Sequence, residues 1–402
     1  MRRSWLVFAA LLAGACAVGQ PAVPLNAFAA GDLAQVEAFA AQQVADGPAE
    51  NQALVHNVLA QCELLQGRVD EARRNFEVAG RIMGSWSTGG GEATAAILGS
   101  ESSKTYKGDP YEQAMNAYYL ALCFFWKGEP DNARAACKRG MLADAEVGDE
   151  KFQADNALLF WMAGRFSIML GSDDADGYFG EAATAHAFAI QHGARGVPNN
   201  DVLANPRRGN LVLVLECGMA PEKYAEGGQG ELARFRPRPH PAVAARASID
   251  GRDLGVASLL LDVDYQARTL GGTEMEGIRK GKAVFKTAST VAGVVLLDQA
   301  SRSKGDAART QAIAGGALLL AGLLTSTSAD VRHWPTLPST VHVLTADVAP
   351  GDHQLTIDFL DARGRPLPQF RQHTLVTVPA SGEAWHLARS LPPVAPRAPS
   401  VP

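Results

Sequence analysis

Few of the features that announce a function by composition occur in this 402-residue chain. Basic residues show no surplus, with 37 Lys and Arg against 42 Asp and Glu, and aromatics reach only 7%. The net charge of -5 argues against a nucleic-acid binder, which carries a basic face. Cysteines number five, with no CxxC or Cys/His spacing of a metal site. No apolar run approaches the about 20 residues that a membrane-spanning helix needs. GxSxG, HExxH and Walker A motifs are absent; the nearest phosphate-loop match, GIRKGKA at 277–283, has the wrong spacing and lacks the Ser or Thr for Mg²⁺. What the chain does have is an apolar share of 47%, which excludes wholesale disorder, and length enough for more than one domain.

The first residues read as an address. Arg2 and Arg3 precede the apolar stretch Trp5 to Leu12, then Ala13-Gly14-Ala15 and Cys16. This arrangement looks like a lipoprotein signal peptide over 1–15, with Cys16 as the lipidation site and 16–24 as a tether. Acyl chains on Cys16 would hold a folded domain durably to a membrane. Ala17 rather than Asp after the Cys implies, by resemblance to sorting signals, the outer membrane with the protein facing the periplasm. Cys62, Cys123, Cys137 and Cys217 remain; they are either buried small apolar side chains or disulfide partners, with three possible pairings.

Between 25 and 195 the pattern is helical and repeated. Residues 53–86 and 114–147 align without a gap at a separation of 61. Leu59, Ala60, Cys62, Gly67, Asp70, Ala72 and Arg73 match Leu120, Ala121, Cys123, Gly128, Asp131, Ala133 and Arg134. Large-small-small positions, a Gly turn and an Ala-bearing second helix look like the tetratricopeptide (TPR) unit of about 34 residues. A half-unit at Ala27–Val44 precedes them, and a degenerate pair, Phe152–Leu170 and Asp176–His192, follows. The excess spacing is a Gly-rich loop insertion at 84–106. Asp109, Pro110 and Glu112 have the spacing of a capping box, a structural use of both acids.

Strand patterns dominate 210–390, at Leu211–Glu216, Ala242–Ile249, Val256–Tyr265, Thr340–Leu344, His353–Phe359, Leu375–Val378 and Trp385–Ala388. ARGRP reads as a hairpin turn. Residues 274–325 revert to a small-residue helical hairpin, whose two apolar stretches within 287–325 are too short to cross a bilayer singly. The Pro-rich tail at 391–402 reads as disordered. The expected fold class is α+β: a TPR-like α-helical superhelix, then a β-sandwich-like domain with that hairpin inserted.

Three segments, TYKGDPYEQAMNAYYLALCFFWKGEPDNARAACKRG (105–140), NLVLVLECGMAPEK (210–223) and ADVRHWPTLPSTVHVLTADVAPGDHQL (329–355), resemble a family of bacterial TPR-containing envelope lipoproteins. The third is the most distinctive, with Asp330, Arg332, Trp334, Leu337, Pro338, Pro350 and Gly351 in the family's places. The resemblance implies a lipid-anchored helical-repeat protein near cell-envelope biogenesis, with no assigned activity.

The expected function is a non-enzymatic adaptor that binds an envelope protein partner in its TPR groove. Tyr118, Leu122 and Phe125 are the groove residues implied by the TPR resemblance. The alternatives are a protein that inserts the 287–325 hairpin into lipid, and a peptidoglycan-acting enzyme. Asp330, Arg332 and Trp334 alternate along one face of an extended segment. They either recognise a polar ligand or fasten the helical hairpin to the sheets, with the indole packed over the charge pair. His342, His353, His373 and His386 lie on or near strands, but their spacing predicts no metal. No catalytic residue, cofactor or nucleic-acid partner is expected.

Overall fold

The computed structural model describes residues 19–84, 105–145, 155–227, 232–270 and 329–393. Within them the chain is α+β, helical first and sheet-forming second. The helices are α1 (Leu25–Ala29), α2 (Leu33–Asp46), α3 (Gln52–Leu65), α4 (Val69–Gly84), α5 (Pro110–Trp126), α6 (Pro130–Ala145), α7 (Ala157–Met169), α8 (Ala175–Gln191) and the short α9 (Asp201–Ala204). Consecutive helices pack in pairs, α3 on α4, α5 on α6 and α7 on α8.

The aligned positions of the two central pairs play the same parts. Gly67 and Gly128 hold φ of 78° and 74°, the left-handed conformation that ends a helix and that residues with a Cβ adopt at a cost. Ala60, Ala72, Ala121, Ala133, Cys62 and Cys123 are all fully buried where the helices meet. At Gly140 a Cβ would lie 2.6 Å from Leu159 Cδ1 and 2.8 Å from Ala117 Cβ, so only glycine lets α6 approach both neighbours. Asp109 and Glu112 do form the capping box on α5, the Asp109 N–H donating to Glu112 Oε2 at 2.7 Å. The degenerate third pair starts later than its sequence pattern, at Ala157, where Asn156 accepts from the Leu159 N–H at 3.2 Å.

Strands β1 (Leu211–Cys217), β7 (Thr340–Ala346), β6 (Ser258–Asp262) and β10 (Ala384–Arg389) form one sheet in the order β10-β1-β7-β6. A second sheet runs β5-β4-β8-β9, from β4 (Ala244–Ile249), β5 (Arg252–Val256), β8 (Gly351–Leu360) and β9 (Gln372–Val378). Strand β1 lies parallel to β10 and antiparallel to β7. It is buried along its whole length, which is why LVLVLEC reads as a run instead of an alternation. Leu211, Leu213, Leu215 and Cys217 share an apolar cluster with Ile249, Leu355, Ile357 and Phe359 of the second sheet. Val212 and Val214 belong instead to the cluster that fills the helical layer. The order is therefore helices, first sheet, second sheet.

Several expectations change. The strand expected over Val256–Tyr265 stops at Asp262, and helix α10 (Val263–Leu270) begins there. Asp262 Oδ1 accepts the Tyr265 N–H at 3.1 Å, an N-cap hidden inside an apolar alternation. A hairpin of β2 (Glu222–Glu226) and β3 (Leu232–Arg236), held by Arg236–Glu222 and Arg234–Glu226 pairs, has too few apolar residues to read as strands. The described end of the tether is docked, since Gln20 Nε2 donates to the His333 carbonyl at 3.0 Å and its Oε1 accepts the His333 N–H at 2.9 Å. The tail's first residue is also held, with Leu391 buried. Cys62, Cys123, Cys137 and Cys217 are free and buried, so no pairing forms.

The signal segment with Cys16, residues 85–104 of the insertion, the 274–325 hairpin and the tail from 394 lie outside the described residues. Among the described residues no helix is long and apolar enough to cross a membrane.

Candidate functional site

The groove expected to receive a partner is filled by the chain itself. Tyr118 and Leu122 are fully buried, and Phe125 is half-buried. Tyr118 donates its hydroxyl to Glu216 Oε1 of β1 at 3.1 Å. Phe125 stacks on Phe166 and packs at a tilt against Trp385 of β10, with centroids 5.9 and 5.1 Å apart. The assignment of these three residues to an open groove is thus corrected. Repeat spacing identifies the inner face of a helix array, but not what the rest of the chain lays on it.

Three buried arginines fasten the layers. Arg389 and Glu216 are neighbours in the β1–β10 register, and Nη1 meets Oε2 at 3.0 Å with side-chain exposures of 1% and 0%. The guanidinium also lies 5.2 Å from the centre of the Phe28 ring. Arg165 of α7 pairs with Glu383 at 2.7 Å and donates to the carbonyls of Pro206, Arg208 and Gly209. Arg332 pairs with Asp330 at 2.7 Å and donates at 3.2 Å to both the Glu50 carbonyl and Asn51 Oδ1.

In the Asp330, Arg332 and Trp334 motif, Arg332 and Trp334 are both buried and bonded to other parts of the chain. Arg332 fastens its segment to Glu50 and Asn51, just ahead of α3; the 287–325 hairpin lies outside the described residues. Tyr106, not Trp334, covers the guanidinium, 5.7 Å from the ring centre. Trp334 is fully buried between Phe76 and Tyr119, at 6.0 and 5.7 Å. Its indole N–H donates to Gln61 Oε1 at 3.1 Å and Thr336 Oγ1 at 2.9 Å, and its backbone N–H donates to Glu112 Oε1.

Glu112 thereby does more than cap a helix. Completely enclosed, with Asp109 near and Lys223 bonded to Asp109 at 2.6 Å, its carboxyl is pushed up to about 7 by burial first and by Asp109 second. The histidines are dispersed. His342 is buried in the first sheet, its imidazole pushed down to about 4 by burial, while on the second His353 is half-buried and bonded to Asp250 and His373 is exposed and bonded to Thr356. Among the described residues no group of three His, Cys, Asp or Glu is arranged to hold a metal.

Sequence reading missed one concave site. Between the end of α8 and the β6–α10 junction, Asp155, His186, Arg195, Tyr265 and Gln266 line a small cleft. Arg195 grips buried Asp262 through Nε and Nη2, at 2.9 and 2.5 Å, and reaches Asp264 at 2.8 Å. Ser339 Oγ donates to Asp264 at 2.6 Å. Gln266 Nε2 donates to Asp155 Oδ1. Burial pushes the Asp155 carboxyl up to about 6. The only sequence signal was the pair of acids, Asp262 and Asp264, ending an apolar strand.

No family model matches the chain, and no curated protein matches it. Among solved structures it is similar to BtubC (BKLC) from P. vanneervenii, at 14% identity and a TM-score of 0.29. That match spans 42% of this chain and 62% of the other, under two thirds of its length. A likeness of this size carries no argument.

Proposed function

We propose that this protein is a lipid-anchored envelope scaffold, tethered through Cys16 at the periplasmic side of the outer membrane, which holds a protein partner. Its helical layer reads as TPR-like pairs and its two sheets as a sandwich. The Gly turns at 67 and 128 and the matched burial of Ala60 with Ala121 and Ala72 with Ala133 support the first. The apolar cluster between the two sheets supports the second.

One observation carries the reading. The segment 329–334, ahead of a turn at 335–337, lies against the helical layer with Trp334 as a buried anchor, the manner in which a repeat array receives a peptide. The groove is a protein-receiving surface already used in cis. The partner therefore sits on the outer faces, and the substitution of Tyr118 or Phe125 is a test of folding, not of binding.

The experiment is crosslinked affinity capture from detergent-solubilised envelopes, with the wild-type chain and Cys16→Ser side by side. The scaffold reading expects one envelope protein near stoichiometry with the wild type, and its loss when Cys16→Ser leaves the membrane. Absence of a reproducible partner with the anchored chain would overturn it.

A further inference from the structure

The chain is clasped to its own body only a short way past Cys16. The Gly19 carbonyl accepts from Asn51 Nδ2 at 3.1 Å, and the Gln20 amide closes on both backbone groups of His333. Pro21, the next residue, is buried. Only Ala17 and Val18 separate Gly19 from Cys16. That stretch of chain reaches at most about 11 Å. A headgroup layer is itself about 5–8 Å deep, so lipid on Cys16 would keep the clasp within a few ångströms of the headgroup surface. One side of the body then faces lipid, and the clasp says which.

A second apolar part of the sequence joins the body at the same place. The stretch AIAGGALLLAGLL at 312–324 lies outside the described residues, and the described chain resumes at Ala329, four residues before His333. The side chains at the clasp suit a phosphate. His333 Nδ1 is bonded to the Val331 carbonyl at 3.0 Å, which leaves Nε2 as the acceptor for Arg238 Nη2 at 3.4 Å. Burial keeps that imidazole neutral, pushed down to about 4.

Arg238 thus has a neutral partner, and among the described residues no carboxylate pairs with it. Its neighbours differ, since Arg234 and Arg236 of β3 are paired with Glu226 and Glu222. Exposed Pro237 and Pro239 flank it and stiffen the backbone on either side. A half-buried guanidinium with donors to spare matches the oxygens of a phosphate. We propose that the side bearing Gln20, His333 and Pro239 rests on the membrane surface, with Arg238 receiving the phosphate of a phospholipid headgroup. The inference rests on the anchor at Cys16 in the function proposed above.

The test uses the acylated full chain in vesicles of phosphatidylethanolamine and phosphatidylglycerol, part of the lipid carrying a headgroup nitroxide. A dye is attached through Pro239→Cys or through Asp131→Cys. Asp131 is exposed and lies past the far end of α5, whose 17 residues span about 25 Å from the Trp334 contact. Cys62, Cys123, Cys137 and Cys217 are buried and do not compete for the dye. Flotation of the vesicles shows first whether the chain is anchored. The proposal expects strong quenching at Pro239→Cys and little at Asp131→Cys. Gln20→Ala opens the clasp and brings the two toward equality. Arg238→Gln lowers the ratio of docked to undocked chain about fivefold, the contribution of one basic residue at an anionic surface, and Arg238→Lys keeps most of it. A chain that does not float overturns the anchor and this proposal with it. A floating chain quenched equally at both positions leaves the anchor standing and overturns the membrane-facing side. Unchanged quenching in folded Arg238→Gln overturns the phosphate contact. Should Arg238→Gln not fold, the comparison of the two dye positions and Gln20→Ala still decide.

Discussion

The two faces of β1 are built on different principles. Toward the second sheet it offers Leu211, Leu213, Leu215 and Cys217, a surface held by area alone. Toward the helices it offers Val212, Val214 and then Glu216, whose carboxylate meets both Arg389 and Tyr118. Apolar contact is non-directional and tolerates sliding, whereas buried charges demand one geometry. The sheet-to-sheet face therefore contributes bulk stability. The sheet-to-helix face fixes how the helical layer sits on the sheets.

The largest expected difference between the faces comes from isosteric changes. Glu216→Gln removes a charge from between Arg389 and Tyr118 and costs about 3–5 kcal/mol, because it leaves Arg389 buried without its counter-ion. The urea midpoint should fall by the corresponding amount with the slope unchanged. Replacing both partners, as Glu216→Leu with Arg389→Met, should recover most of that loss, since a well-packed apolar pair needs no geometry. A double variant as unstable as the single one would contradict the assignment of the loss to an orphaned charge.

The next effect is on pH. Burial raises Glu112 from its ordinary 4.5 to about 7, so the fold favours the protonated form. The stability tied to this group is full below about pH 4.5 and is lost as pH rises toward 7. Glu112→Gln should flatten that part of the pH profile of the urea midpoint. It should also lower stability by about 1–3 kcal/mol, because one of the Asp109 and Trp334 N–H groups loses its acceptor. The smallest effect belongs to the apolar face, where Leu213→Met should cost less than about 1.5 kcal/mol. A loss there equal to that of Glu216→Gln would erase the distinction.

The same contrast explains what was legible in the chain. Helix pairs, their Gly turns and most strands were readable because local periodicity carries them. So was the cap at Asp109 and Glu112, three residues apart. The fastening between layers was not, since Arg332 meets Asn51 across 281 residues and Tyr118 meets Glu216 across 98. Trp334 and Arg332 stood out as a motif, but their partners, in α3 and α5 and just ahead of α3, did not. The Asp155 cleft was invisible because its walls come from the helical and sheet regions, and an isolated buried acid leaves no pattern.

Everything above rests on the helical groove being occupied by the chain's own β region. Hydroxyl-radical footprinting of the native chain, read residue by residue along a urea series, tests that directly. Tyr118 and Trp334 are fully buried, while Tyr178 and Tyr224 are only half-buried and serve as internal references. The account predicts Tyr118 and Trp334 protected in the native state and exposed together, at the midpoint of global unfolding. Native Tyr118 oxidised as fast as Tyr224 would mean an open groove and would contradict it.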